Sequence, residues 1–243
     1  MDIRKKLMMG REELEENGAI TIVVFGDSIS HGALAMGEIN YETVYWNILR
    51  RKINAIRNYV PVNVINSAIG GTCANTSLSR LDKQVLIHNP DLVIVCFGLN
   101  DVNGPLDEYR SALKEIFKRC IDFGTEVIFM TPNMLNTYVA DDTAPQHRSY
   151  AKKMADVQNS GVMDDFMNAA RETSLEMGVR VCDCYAKWVE ISKTQDTTLL
   201  LANRINHPIP KMHELFADML FNMIFEGNNH KSDKNDSTMY TNN

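Results

Sequence analysis

Four sites in this sequence, read as lying at the ends of strands, carry groups that together are those acyl transfer needs. Ser28 follows Gly26-Asp27 at the close of the run that starts at Ala19. A serine there can act as a nucleophile once a nearby base takes its proton. Gly70 and Gly71 follow the run that starts at Val62, and paired glycines let backbone N–H groups approach a ligand closely. Asn100, in Gly98-Leu99-Asn100-Asp101, carries an amide that can donate a hydrogen bond. His207 is held in extended backbone by Pro208, and an imidazole titrates where a general base must. A nucleophile, a base and donors for a developing oxyanion complete the set.

Taken singly, each residue has a plainer reading. Ser28 could N-cap a helix, the glycines could form an ordinary tight turn, Asn100 could close an Asx-turn, and His207 could be a solvated loop histidine. Their conjunction at separate strand ends favours chemistry over four coincidences.

The elements that must position them read as an alternating α/β chain. Short β-branched runs at 19–28, 62–68, 91–98, 125–132 and 179–185 suit strands buried on both faces of a parallel sheet. Between them, helical spacing of apolar residues predicts helices over 43–56, 106–123, 162–177 and 212–225. This alternation predicts a doubly wound sheet of about five parallel strands, with its ligand site beyond the carboxyl ends of the strands. Residues 1–18 are charged, show no clear apolar face and read as a peripheral arm; 19–226 form the domain; 227–243 read as a disordered polar tail. The polar stretch 133–160, with a weakly helical middle, reads as a long functional or mobile loop.

Composition narrows the class. The 243 residues carry 25 Lys+Arg against 31 Asp+Glu, a formal net charge of −6, which argues against a nucleic-acid partner. No apolar run reaches the roughly 18 residues of a membrane span, and residues 1–18 lack the apolar core of a signal peptide. The five cysteines include no C-x-x-C pair and read as buried thiols, which fits a cytoplasmic protein unless a leader has been removed. The six histidines form no ligand-spaced pair with acids, so no metal is expected. With no G-x-G-x-x-G or P-loop, no nucleotide cofactor is expected either.

These blocks, GDS at Gly26 to Ser28, N-x-x-x-x-G from Asn66 to Gly71, G-x-N-D at Gly98 to Asp101 and His207-Pro208, resemble the SGNH hydrolases, also called the GDSL esterase/lipase family, from Thr21 to about Leu220. The resemblance implies a flavodoxin-like three-layer α/β/α fold and metal-independent ester hydrolysis. It implies Ser28 as nucleophile, His207 as base and then acid, and an oxyanion hole from the backbone N–H of Ser28, that of Gly71 and the amide of Asn100.

One position departs from the family pattern. Three residues before the histidine the family places an aspartate, and here stands Arg204, which cannot accept a hydrogen bond from an imidazole. Three readings follow. A main-chain carbonyl near Arg204 orients His207 in a Ser-His dyad, an acid from elsewhere substitutes, with Asp183 the best placed, or the enzyme is slow or inactive. The dyad is the favoured reading.

The resemblance leaves the substrate open among carbohydrate O-acetyl esters, short-chain esters, thioesters and lysophospholipids. The absence of an obvious apolar lid favours a small or carbohydrate ester. Tyr138, His147, Arg148 and Tyr150 in the 133–160 stretch could contact a sugar. The competing class is a non-catalytic binding protein on a hydrolase scaffold.

Overall fold

A computed structural model describes residues 2–35 and 37–225 of the chain. Five strands, β1 (Ile20–Gly26), β2 (Val62–Asn66), β3 (Leu92–Cys96), β4 (Glu126–Met130) and β5 (Arg180–Cys182), lie within the five predicted runs. They form one sheet in the order β2-β1-β3-β4-β5, parallel at every pairing. β3 is buried at every residue, as its uninterrupted apolar sequence requires of a strand covered on both faces.

Helices α1 (Ile3–Leu7) and α2 (Arg11–Asn17) precede the sheet. The short α3 (Ser28–His31) and α4 (Tyr45–Ile56) follow β1, and α5 (Ala74–Ser77) and α6 (Leu81–Gln84) follow β2. The long α7 (Leu106–Phe123) joins β3 to β4. Helices α8 (Arg148–Asn159) and α9 (Val162–Glu176) lie between β4 and β5, and α10 (Cys184–Ser192) and α11 (Pro210–Phe225) come last. α11 packs on α4 and α1, while α7 packs on α9 and α5, giving helical layers on the two faces of the sheet. This is the flavodoxin-like three-layer arrangement.

The chain runs from β1 outward to β2 and then crosses back to β3, so the crevice of this topology opens beyond the carboxyl ends of β1 and β3. Those ends are level, because Gly26 pairs with Cys96.

Two segments differ from the sequence reading. Helix α1 packs into the core instead of lying peripherally. Ile3 and Leu7, four residues apart on one helical face, are buried, and buried Lys6 donates to both carboxylate oxygens of Asp91 at 2.9 Å. A helix of five residues is too short to show this face as a periodicity, whereas α2 buries no residue. The 133–160 stretch is ordered structure: its second half is α8, and in its first half Met134, Leu135, Asn133 and Asn136 are buried. Buried Asn133 and Asn136 account for part of its polar character, and both donate to backbone carbonyls. The polar tail 227–243 lies outside the described residues.

Candidate active site

The turn after β1 is built on a close approach that only glycine allows. A Cβ at Gly26 would lie 2.6 Å from the Cys96 carbonyl oxygen and 2.7 Å from Ser30 Oγ. Asp27 then N-caps α3, its Oδ1 accepting from the Ile29 N–H at 3.0 Å. The cap role that Ser28 could have filled is therefore taken by its neighbour, and Ser28 becomes the first residue of α3.

Ser28 Oγ lies 3.0 Å from His207 Nε2, and His207 Nδ1 lies 2.8 Å from the carbonyl oxygen of Leu34. A carbonyl only accepts, so Nδ1 carries the proton, and Nε2 is the free acceptor for the Ser28 hydroxyl. The carbonyl that orients the ring belongs to a segment 173 positions before it, whereas the sequence pointed to the neighbourhood of Arg204.

Arg204 is turned to structural work. Its Nε lies 2.9 Å from Asp142 Oδ2, and its Nη1 donates to the carbonyls of Leu199 and Leu201 at 3.0 Å. Asp183 is also elsewhere. It N-caps α10, accepts from Arg171 through both oxygens at 2.8 and 3.0 Å, and accepts from the Thr131 hydroxyl at 3.1 Å. Both ring nitrogens of His207 are engaged, and among the described residues no carboxylate completes a triad.

The backbone around His207 is held by asparagines. Asn203 Oδ1 accepts from the N–H groups of Ile205, Asn206 and His207 at 2.9 to 3.0 Å. Asn133 Nδ2 donates to the Asn206 carbonyl at 2.9 Å, and the Asn136 N–H to the Ile205 carbonyl at 2.9 Å. The first half of the 133–160 stretch is thus a buttress for the histidine loop.

On the other side of Ser28, Asn100 Nδ2 donates to the Thr72 carbonyl at 3.1 Å and contacts Asp27 Oδ2 at 3.4 Å. Gly71 has φ +78°, a left-handed conformation suited to glycine. Among the described residues neither the Ser28 N–H nor the Gly71 N–H donates to an acceptor. Gly70 donates to His31 Nδ1 at 3.2 Å, one turn of α3 beyond Ser28.

Burial sets the electrostatics. It lowers the pKa of His207, with the Leu34 hydrogen bond opposing, so the neutral imidazole is favoured. Burial pushes Asp27 up to about 7 and Asp101 up to about 6, each against backbone hydrogen bonds. His213, to which the sequence assigned no role, is buried against Tyr45, and burial and then the charge of His207 bring it down to about 3.

Of the four residues considered for sugar contact, Tyr138 donates to Asp196 at 2.6 Å, and Arg148 donates to the Thr143 and Asp141 carbonyls. Tyr150 is exposed, and partial desolvation raises its phenol pKa, with Asn103 opposing. All five cysteines are free thiols. Among the described residues no cluster of three or more His, Cys, Asp or Glu could hold a metal ion, and no helix is long and apolar enough to cross a membrane.

Fold and site together define a flavodoxin-like α/β protein with a serine and an imidazole in contact beyond the carboxyl end of its first strand. The GDSL-like lipase/acylhydrolase family matches residues 24–215, so the chain belongs to that family and is a carboxylic ester hydrolase. No curated protein matches it.

Among solved structures it is similar to Axe2, an acetylxylan esterase from Geobacillus stearothermophilus. The TM-score is 0.67 at 21% identity, over 85% of this chain and 94% of that one. It is also similar to LAE5, an α/β hydrolase enzyme from the metagenome of Lake Arreo, Spain. There the TM-score is 0.64 at 19% identity, over 85% and 96% of the chains. At these identities the likeness is one of fold. Solved catalytic mutants of Axe2 replace a serine, an aspartate and a histidine. That aspartate lies three positions before the histidine, the separation that here leads from Arg204 to His207.

Proposed function

We propose that the chain hydrolyses a short-chain or carbohydrate O-acetyl ester through an acyl-enzyme on Ser28, with a Ser28-His207 dyad oriented by the Leu34 carbonyl. The observation that carries this reading is the continuous relay from Leu34 O through the His207 ring to Ser28 Oγ, at 2.8 and 3.0 Å.

His207 Nε2 takes the hydroxyl proton as Ser28 Oγ bonds to the ester carbon, and the carbonyl electrons move onto oxygen. The N–H groups of Ser28 and Gly71, which have no acceptor among the described residues, and the Asn100 amide stabilise that oxyanion. The 3.4 Å contact from Asn100 to Asp27 is weak, and it is the one the oxyanion replaces. Collapse of the intermediate breaks the bond to the alcohol oxygen, which receives the proton from Nε2. Water then repeats the sequence on the acyl-enzyme, with His207 again as base, and releases the acid and Ser28.

In a triad the aspartate fixes the histidine tautomer and stabilises the imidazolium. The Leu34 carbonyl supplies the first function in full and the second only as a dipole. Family membership supports ester chemistry, and the acetylxylan esterase of like fold favours the acetyl ester of a carbohydrate.

The test is hydrolysis of acetylated xylose, p-nitrophenyl acetate and a long-chain p-nitrophenyl ester, with labelling by a fluorophosphonate. The expected result is labelling and acetyl preference in the wild type, and loss of both labelling and hydrolysis in Ser28→Ala. Full activity in Ser28→Ala, or a wild type inert to the probe and all three esters, overturns the reading. A clear preference for the long acyl chain overturns the substrate assignment alone.

A further inference from the structure

Arg80 is half-buried, and its contacts converge on the segments that carry the three proposed oxyanion donors. Nη1 donates to the Ser67 carbonyl at the end of β2. Nη2 donates to Ser77 Oγ at 3.0 Å and lies 3.4 Å from both the Gly26 carbonyl and Thr72 Oγ1. The guanidinium plane sits over the Phe25 ring, 4.6 Å from its centroid.

Gly26 leads into Ser28 by two residues. Ser67 and Thr72 bracket Gly71. Thr72 also presents the carbonyl that receives the Asn100 amide. One planar fork therefore touches the Ser28 segment and both sides of the Gly71 turn, and it reaches Asn100 through Thr72. His31 holds the same turn from the other side through Gly70.

Arg80 has no carboxylate within salt-bridge distance among the described residues. Its Nη groups are met by carbonyls, hydroxyls and Gln84 Oε1 and its plane by an aromatic face, its Nε is buried without a partner among the described residues, and burial lowers its pKa. An unpaired, half-buried cation under the rim exerts a field that a solvated or ion-paired one would not. That field favours the state in which negative charge appears on the substrate oxygen.

We infer that Arg80 is a positioning residue for the oxyanion hole. It holds the Ser28, Gly71 and Asn100 segments at their mutual spacing and adds positive potential beneath the site. The inference rests on the proposed serine-esterase mechanism. A lysine can keep the charge but cannot reproduce the fork, because its single ammonium is a point donor.

The experiment compares wild type, Arg80→Lys, Arg80→Gln and Arg80→Ala on p-nitrophenyl acetate, measuring kcat and KM separately. Active sites are titrated with the fluorophosphonate and Tm is recorded for each. Because the groups are positioned for the transition state, kcat per titrated site should fall with KM little changed. The expected loss is about 10²-fold in Arg80→Gln, of the order seen on deleting one oxyanion donor, with a smaller loss in Arg80→Lys. Guanidinium ion at millimolar concentration should restore part of kcat in Arg80→Ala and none in Asn100→Ala.

Kcat per titrated site within about twofold of wild type in Arg80→Gln would overturn the inference, as would a loss seen only in KM. So would a loss of activity that tracks only the fraction of folded, titratable protein. Ser28→Ala run alongside separates the two claims: activity there removes the mechanism itself, whereas an inert Ser28→Ala with an unaffected Arg80→Gln removes only the role of Arg80.

Discussion

The Nδ1 atom of His207 hydrogen-bonds to the carbonyl oxygen of Leu34 at 2.8 Å. This contact occupies the position that an acidic side chain fills in a Ser-His-Asp arrangement. A main-chain carbonyl does not titrate, so it fixes one imidazole tautomer at every pH at which the ring is neutral. The consequences can be measured.

The pH profile follows from the environment of His207. Burial lowers its pKa, and the base must be neutral to accept the Ser28 proton. The kcat/KM for p-nitrophenyl acetate should therefore be level from pH 8 down through the ordinary imidazole range near 6.5. It should fall only as the pH drops through the lowered value. Asp27, raised to about 7, titrates above that limb, and a limb below 6.5 that persists in Asp27→Asn belongs to His207. A limb centred at or above 6.5 would contradict the assignment.

Restoring an aspartate at position 204 should not restore a triad. Arg204 is bonded to Asp142, and His207 Nδ1 is already committed to Leu34. Arg204→Asp would also set two carboxylates against each other and free the carbonyls of Leu199 and Leu201. The expected outcome is a lower Tm with no gain in kcat. A rise in kcat of tenfold or more, the scale of an added catalytic contact, would show that the loop can rearrange to bring the acid to the ring.

Asn100→Ala removes the one side-chain donor of the proposed hole. A fall in kcat of roughly 10²-fold with KM changed little is expected on an acetyl ester. Since Asn100 also binds the Thr72 carbonyl, Tm should be recorded to separate chemistry from loosening of the turn. An unchanged kcat would place the oxyanion away from Asn100.

Lys6→Ala tests the docking of α1. It leaves Asp91 buried with only the Thr21 N–H as partner. Loss of one member of a buried pair costs about 3 kcal/mol, a Tm drop of roughly 8 °C for a chain of this size. Thermal unfolding followed by circular dichroism reads this directly. A change below about 1 kcal/mol would mean the pair behaves as an exposed one.

Much of this molecule is legible in its sequence because the relevant signals are local. β1 and β3 are uninterrupted apolar runs, and a strand covered by helices on both faces needs that composition. Gly26 announces a close approach that a side chain would block, and Ser28, Asn100 and His207 declare their chemistry by residue type and by their places at chain reversals. The α1 face was not legible, since two buried apolar residues in five do not make a period. Nor was the buttressing role of Asn133 and Asn136, because a polar residue bonded to buried backbone has the same identity as one on a mobile loop.

The sequence alone determined the alternation of strands and helices and the residue types at the strand ends, and with them the family and the class of reaction. Which acceptor orients His207 was decided only by the tertiary structure. Every residue carries a carbonyl, so nothing in the identity of Leu34 marks its own as special. It becomes the partner of Nδ1 because packing of the segment after α3 against the histidine loop brings together atoms 173 positions apart. The same packing turns Arg204 toward Asp142 and commits Asp183 to Arg171, so among the described residues the partner of Nδ1 is a backbone carbonyl and not a carboxylate.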